Sequence, residues 1–531
     1  MERISGFIPK RVFISSIFLL FFLSCSRKQH NQEESYINFD KVQVDGGWVS
    51  GIAGKDDEVY VFKGIPFAAA PIGDLRWKAP APVQPWEGVK ECDAFGASAM
   101  QPSPEPIYVW SEEFLIPKEP IDEDCLFLNV WTGAKKANEH RPVVVWIHGG
   151  GFTTGSGSVP IYDGEAMARK GVVFVSINYR LGIFGFFSHP ELTRESSVNA
   201  SGNYGLMDQI AALKWVKNNI AAFGGDPKNI TIAGQSAGSA SVVFLVASPL
   251  AKELFQKAIA QSGAGLLSRT PGPEKKALLN LEQAEHTGVK VANEIQAASI
   301  AQLRSMPASD LLREVRFHAH PIVDGYVLPE SAMKIYQEHM ENNISLLTGW
   351  NEDDGVVFGG FVKADEFEER VFKEWGASAK ELLSFYPATN DATAKISQKK
   401  LQRDIAFGAQ NYTLANLVSS QGKNVYVYRF ARKVPFGQYE DFGAFHTGEV
   451  PYAYNNLEFV DRPFEPVDYQ LAEVMSSYWV NFIKSGNPNA DGLPEWPKYN
   501  LNSREIMVLG DQQKKRVIKD SLSLNFLREK L

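Results

Sequence analysis

The stretch 229–240 constrains this chain most. It reads Asn229-Ile230-Thr231-Ile232-Ala233-Gly234-Gln235-Ser236-Ala237-Gly238-Ser239-Ala240. Residues 230–233 have the short apolar form of a buried strand. Residues 234–238 make a sharp turn, and 239–247, with Val242, Val243, Phe244 and Leu245, suit a buried helix. A G-x-S-x-G turn between strand and helix lifts a serine hydroxyl clear of a sheet edge. Such a turn strains the backbone and crowds neighbouring segments, so the flanking positions call for residues without a Cβ. The helix start that follows supplies free N–H groups and a positive dipole end, both suited to a developing oxyanion. The five-residue pattern alone is common. The strand before it and the helix after it give it chemical meaning.

A chain of 531 residues is long enough for a large core. Hydrophobic residues at 44% and charged residues at 22% fit a globular protein. The net charge of −8, without a long Lys/Arg run, argues against a nucleic-acid partner.

The first residues follow a different logic. Arg3, Lys10 and Arg11 precede an apolar run at 12–23, then Ser24 and Cys25. That is the layout of a signal peptide, 1–24, and the run is shorter than the ~20 residues of a membrane-spanning helix. The ending Phe22-Leu23-Ser24-Cys25 resembles a bacterial lipoprotein box, in which the cysteine is acylated after cleavage. The expected product is exported and lipid-anchored at Cys25 in a bacterial cell envelope, with 25–40 as a flexible tether and 41–531 as the folded body. Of the three cysteines, Cys92 and Cys125 then remain, the number needed for one disulfide in an exporting compartment.

Further along, 42–44, 46–51 and 59–62 predict an antiparallel meander. The Pro-rich, acidic segment 102–124, carrying Tyr108 and Trp110, reads as a surface loop over a site mouth. Residues 125–131 and 142–147 predict strands, the second a continuous apolar run expected of a sheet covered on both faces. It empties into His148-Gly149-Gly150-Gly151-Phe152. A glycine triplet after a buried strand lets backbone N–H groups face a ligand, which is the other half of an oxyanion hole. His148 reads as a brace for that loop. A strand at 171–178, a helix at 203–222, the Ser236 turn and a strand at 257–262 alternate as in a mainly parallel α/β sheet with helices on both faces. Residues 271–340 and 361–420 read as largely helical. Strands are expected at 344–348 and 425–430, and a long helix at 467–484.

A serine of this kind needs an acid and then a histidine later in the chain. One buried strand after the turn empties into a carboxylate cluster, Glu352, Asp353 and Asp354. Of nine histidines, His446 alone follows it. Among the three carboxylates the residues favour Asp354, adjacent to Gly355, without excluding its neighbours.

The chain resembles the type-B carboxylesterases, the family of cholinesterases and para-nitrobenzyl esterases. The resemblance rests on Phe62-Lys63-Gly64-Ile65-Pro66-Phe67, Glu123-Asp124-Cys125-Leu126-Phe127-Leu128-Asn129-Val130, the His148 glycine loop, Asn178-Tyr179-Arg180-Leu181-Gly182 and the Ser236 turn. It covers about 42–499. It implies an α/β-hydrolase fold with an N-terminal antiparallel extension, and ester hydrolysis through an acyl-enzyme. It implies Ser236 as nucleophile, Asp354 as acid, His446 as base, and the N–H groups of Gly150, Gly151 and Ala237 as oxyanion hole. Arg180 and Asp208 match a buried ion pair. No cofactor or metal is implied, and the partner is a small ester. Three positions depart from the family. Asp354 stands where Glu is usual. Gln235 stands where cholinesterases carry Glu, which argues against quaternary-ammonium substrates. Ala99 stands where the family's first cysteine lies, so a Cys92–Cys125 bridge requires a shifted loop. Trp350, Phe152 and Phe358 are candidates for an apolar substrate pocket. A non-catalytic binding module of this fold and an amidase or thioesterase at the same site are the competing functions.

Overall fold

The computed structural model describes residues 36–55, 57–272 and 277–531. The leader, Cys25 and the first part of the tether therefore lie outside the described residues. The last tether residues pack onto the body: Ile37 N–H donates to the Lys135 carbonyl, and the buried Phe39 ring stacks on Tyr60 at 3.7 Å.

The body is built on one eleven-stranded sheet. In chain order its strands are β1 (Ile52–Ala53), β2 (Tyr60–Pro66), β3 (Phe127–Thr132), β4 (Arg141–Ile147), β5 (Val173–Ile177), β6 (Gly225–Gln235), β7 (Lys257–Gln261), β8 (Ser345–Asn351), β9 (Val425–Phe430), β10 (Glu505–Leu509) and β11 (Lys514–Val517). Their spatial order is β11-β10-β9-β8-β7-β6-β4-β5-β3-β2-β1. The seven strands from β10 to β5 run parallel, and antiparallel strands close both edges. The N-terminal antiparallel pair Val42–Val44 and Gly47–Ser50 forms a small separate sheet with Val89–Glu91.

Strand alternation divides the core in two. Val143, Val145 and Ile147 of β4 face one hydrophobic cluster, and Val144 and Trp146 face the other. Helices cover both faces, which is why the central strands are apolar throughout. The helices that matter for the site are α1 (Tyr204–Asn219), α2 (Ala237–Ala247), α3 (Asp391–Arg403), α4 (Ala409–Ser420) and α5 (Pro466–Ser485). Every residue of α2 is buried, as expected of a helix apolar on all sides.

Three expectations need correction. The described residues of 271–340 hold four helices, of which Leu281–Glu294 is the longest, but 315–330 are not helical. The strand expected at 344–348 continues to Asn351, so the acidic loop begins at Glu352. The third concerns the cysteines. Cys92 and Cys125 are both buried free thiols, not a bridge. Cys92 is tied by its backbone to Ser50 and Lys63 in the N-terminal meander. Cys125 lines a small void with Ala99, Arg76 and Arg180. Burial drives both thiols up, that of Cys92 to about 12.

Candidate active site

The parallel strands end together and deliver the site. In register, Gly234 of β6 faces Ile147 of β4, Gln235 faces Gln261 of β7, and Gln261 faces Gly349 of β8. The residues just past these ends are Ser236, the glycine loop, Ser262 and the acidic loop. Open α/β sheets bind ligands at this carboxyl edge.

Ser236 sits on the turn with φ 58° and ψ −121°, the left-handed side that side chains rarely adopt. Its N–H donates to the Gln261 carbonyl at 2.9 Å, which pins the strained turn to β7. The crowding explains the glycines. A Cβ on Gly238 would lie 2.0 Å from the Ile147 carbonyl oxygen. A Cβ on Gly150, at φ +100°, would lie 2.1 Å from the Thr154 carbonyl oxygen. That conformation turns the chain back: the Gly150 carbonyl accepts from the N–H groups of Thr153 and Thr154. The N–H groups of Gly150 and Gly151 find no acceptor among the described residues. The N–H of Ala237 opens α2, where an intrahelical acceptor is lacking.

The three carboxylates of the acidic loop have three different tasks. Glu352 pairs with Arg403 at 3.0 Å and Arg429 at 3.4 Å. Asp353 accepts the Ala444 N–H at 2.9 Å and so ties the acidic loop to the histidine loop. Asp354, wholly buried, faces His446: its Oδ1 accepts from His446 Nδ1 at 2.8 Å. Its Oδ2 accepts from the Ser262 hydroxyl at 2.8 Å and the Asn351 N–H at 2.7 Å. Three donors thus satisfy both oxygens of one buried carboxylate and fix its orientation.

With Nδ1 donating, Nε2 of His446 is the ring's acceptor. The ring is held flat against Phe407, with centroids 4.3 Å apart and planes 15° apart. Phe407 comes from a π-helical turn, Asp404–Gly408, inserted between α3 and α4. Such turns recur at functional sites. The Gln235 amide nitrogen lies 3.2 Å and 3.3 Å from the two ring nitrogens, so it is aligned with neither lone pair alone. The Trp110 indole N–H donates to the His446 carbonyl at 3.2 Å.

Ser236, His446, Gln235, Gly150 and Gly151 line one cavity of about 500 Å³. Its outer wall is the Pro-rich loop, through Pro102, Ile107, Trp110, Phe114 and Ile116. Of the apolar candidates, Phe358 lines this cavity. Trp350 is core under Arg429, and Phe152 is buried edge-on against Phe186. Tyr108 packs outside, on Tyr439 and Phe442. His148 braces the glycine loop: its Nδ1 meets the Gly149 carbonyl at 2.9 Å, and its ring stacks on Tyr179. Burial lowers its pKa to about 4, so it is neutral near pH 7. Arg180 and Asp208 form the expected buried bidentate pair, at 2.7 and 2.8 Å.

Sequence reasoning missed a second buried carboxylate behind the acid. Glu449 Oε2 accepts from the Asn351 side-chain amide at 2.6 Å, and Oε1 accepts from Gln261 at 3.3 Å. Burial, and then the charge of Asp354, raise its pKa to about 8. Its position three residues after His446 was the available signal.

Known proteins resemble this chain along most of its length. Residues 38–527 match the profile of the carboxylesterase family. Fumonisin B1 esterase of Sphingopyxis macrogoltabida is 34% identical over 88% of this chain and 85% of its own. Para-nitrobenzyl esterase of Bacillus subtilis is 35% identical over 86% of this chain and 92% of its own. The crystal structure of the Geobacillus stearothermophilus carboxylesterase EST55 superposes with a TM-score of 0.77 at 33% identity, covering 92% of this chain and 99% of that one. The profile spans nearly the whole chain, and the esterase structure covers most of it at 33% identity: the chain belongs to the carboxylesterase family and is a carboxylic ester hydrolase.

Proposed function

We propose that ester cleavage runs through an acyl-enzyme on Ser236, with His446 as base, Asp354 as its orienting acid, and the N–H groups of Gly150, Gly151 and Ala237 as oxyanion hole. The observation that carries this reading is the 2.8 Å His446 Nδ1–Asp354 contact in the cavity that Ser236 lines. That contact leaves Nε2 free to take the serine proton as Oγ attacks the ester carbonyl. His446 then returns the proton to the departing alkoxide. In the second half, His446 takes a proton from water as its oxygen attacks the acyl carbonyl; the acyl–Oγ bond then breaks, the acid leaves, and His446 returns the proton to Ser236 Oγ. Asp354 keeps the imidazolium oriented throughout. Each oxyanion donor contributes about 3 kcal/mol to the barrier reduction. Among the described residues the Ser236 hydroxyl has no hydrogen-bond partner, and such contacts tighten on substrate binding. The test is labelling with a fluorophosphonate and turnover of para-nitrophenyl acetate by wild type and Ser236→Ala. Turnover by Ser236→Ala near the wild-type rate would overturn the assignment.

Export and lipid attachment at Cys25, in a bacterial cell envelope, belong to the same proposal. The support is the order of basic residues, apolar run and cysteine at the start of the chain. Cys25→Ser should move the enzyme from the membrane fraction to the soluble fraction, and an unchanged distribution would remove the anchor.

A further inference from the structure

We propose that Arg269 selects esters bearing a free carboxylate, placing that anion within the Ser236 cavity while the ester carbonyl reacts. The inference rests on Ser236 being the nucleophile.

Arg269 lines the same cavity as Ser236 and His446, and among the described residues it is the one arginine or lysine that does so. Several buried arginines are matched with carboxylates: Arg76 with Glu123 at 2.5 Å, Arg180 with Asp208 at 2.7 Å, Arg432 with Asp468 at 2.7 Å. Arg462 is instead buried among aromatic rings and donates to the Val109 carbonyl. Arg269 has no ion pair and no hydrogen bond among the described residues. Its pKa is lowered, and desolvation is the sole cause, so no carboxylate is close enough to offset the crowding. A guanidinium offers five donors in a planar fork and cannot shed its charge near pH 7. Arg269 is exposed and open to the cavity, so an incoming carboxylate can pair with its fork without displacing another acid.

The surroundings restrict what that anion is attached to. His320, also next to Arg269, is held below its ordinary pKa by burial, then by Arg269 and His318, and so adds a neutral ring rather than a second cation. Its ring lies 5.8 Å from that of Phe152, the residue after Gly151, which puts this pair on the oxyanion side of the site. Glu105 is the only carboxylate among the described residues that lines the cavity, and it is exposed and unpaired with Arg269. The rest of the wall is largely apolar, with Trp110, Phe114, Ile116 and Phe407. The fitting substrate therefore has an apolar body, a neutral ester and one carboxylate set apart from it. Water adds across the ester bond and the carboxylate is unchanged. The products are a dicarboxylate and an alcohol, or a monocarboxylate and a hydroxy acid, depending on which side carries the anion.

The experiment compares kcat/KM within two matched pairs: monomethyl adipate against methyl hexanoate, and 4-acetoxybenzoate against 4-acetoxybenzamide. The readout is the anionic-to-neutral ratio, which cancels losses common to both members. In at least one pair, Arg269→Gln should lower the ratio tenfold or more through KM of the anionic ester, and Arg269→Lys should retain part of it. A fall of less than tenfold in both pairs overturns the proposal. If Ser236→Ala still cleaves the neutral esters at the wild-type rate, the acyl-enzyme reading fails instead.

Discussion

Asp354 meets His446 at 2.8 Å with one carboxylate oxygen and spends the other on Ser262 and Asn351. The acid is thus held at both ends, and its shorter side chain suffices because β8 runs on to Asn351 and carries the loop close to the histidine. The consequences of this arrangement can be measured.

Asp354→Asn should leave the fold intact and lower kcat on para-nitrophenyl acetate by roughly 10³–10⁴, because an amide facing Nδ1 no longer fixes the productive tautomer. A loss smaller than tenfold would show that another group orients His446. The neighbouring substitution Asp353→Asn should cost far less in kcat, since Asp353 binds the Ala444 backbone and not the imidazole.

Glu449 gives a pH signature. Its pKa is about 8 in the folded protein, against roughly 4.3 for an unperturbed glutamate. The folded state therefore binds the extra proton between these values, and stability from this group falls as pH rises from about 4.3 to about 8. Glu449→Gln keeps a neutral side chain of the same shape and should flatten that slope. Tm of both proteins at pH 6 and pH 8 checks it: the wild type should lose more on going to pH 8. Equal losses would mean that Glu449 is ionised throughout.

The strain at Ser236 should be visible in stability. Ser236→Gly relieves a left-handed backbone, whereas Ser236→Ala retains the Cβ and the strain. Such strain costs of order 1–3 kcal/mol. Both variants should be inactive, with the glycine variant unfolding at higher urea than the alanine variant. The reverse order would argue that the turn is unstrained.

The strand–turn–helix, the glycine loop and the order of acid and base were legible because each is local or fixed by chain order. Ser236 follows from its motif, and His446 from being the one histidine after the acidic loop. The three carboxylates were not separable by sequence, since they are adjacent and differ in what packs against them: Arg403 and Arg429, the Ala444 backbone, or His446. Ser262, Glu449 and Phe407 were invisible for the same reason. Their roles arise from contacts between residues far apart in the chain, up to 188 positions for Glu449 and Gln261, made when β6, β7 and β8 align. The exposed edge strand β11 carries no apolar periodicity, so nothing in its residues announced it. Cysteine arithmetic misled because it counts residues, not surroundings.

The free thiols can be counted directly. Peptides containing Cys92 and Cys125 should resist iodoacetamide in the folded protein and be alkylated once it is denatured without reductant. Failure to alkylate after denaturation would restore the bridge.

The proposed catalytic groups are delivered by the ends of different strands, so no fragment of the sheet brings them together. Activity should therefore vanish in the same transition as the bulk of the fold, which makes residual turnover after heating a direct gauge of how many molecules keep the whole sheet assembled.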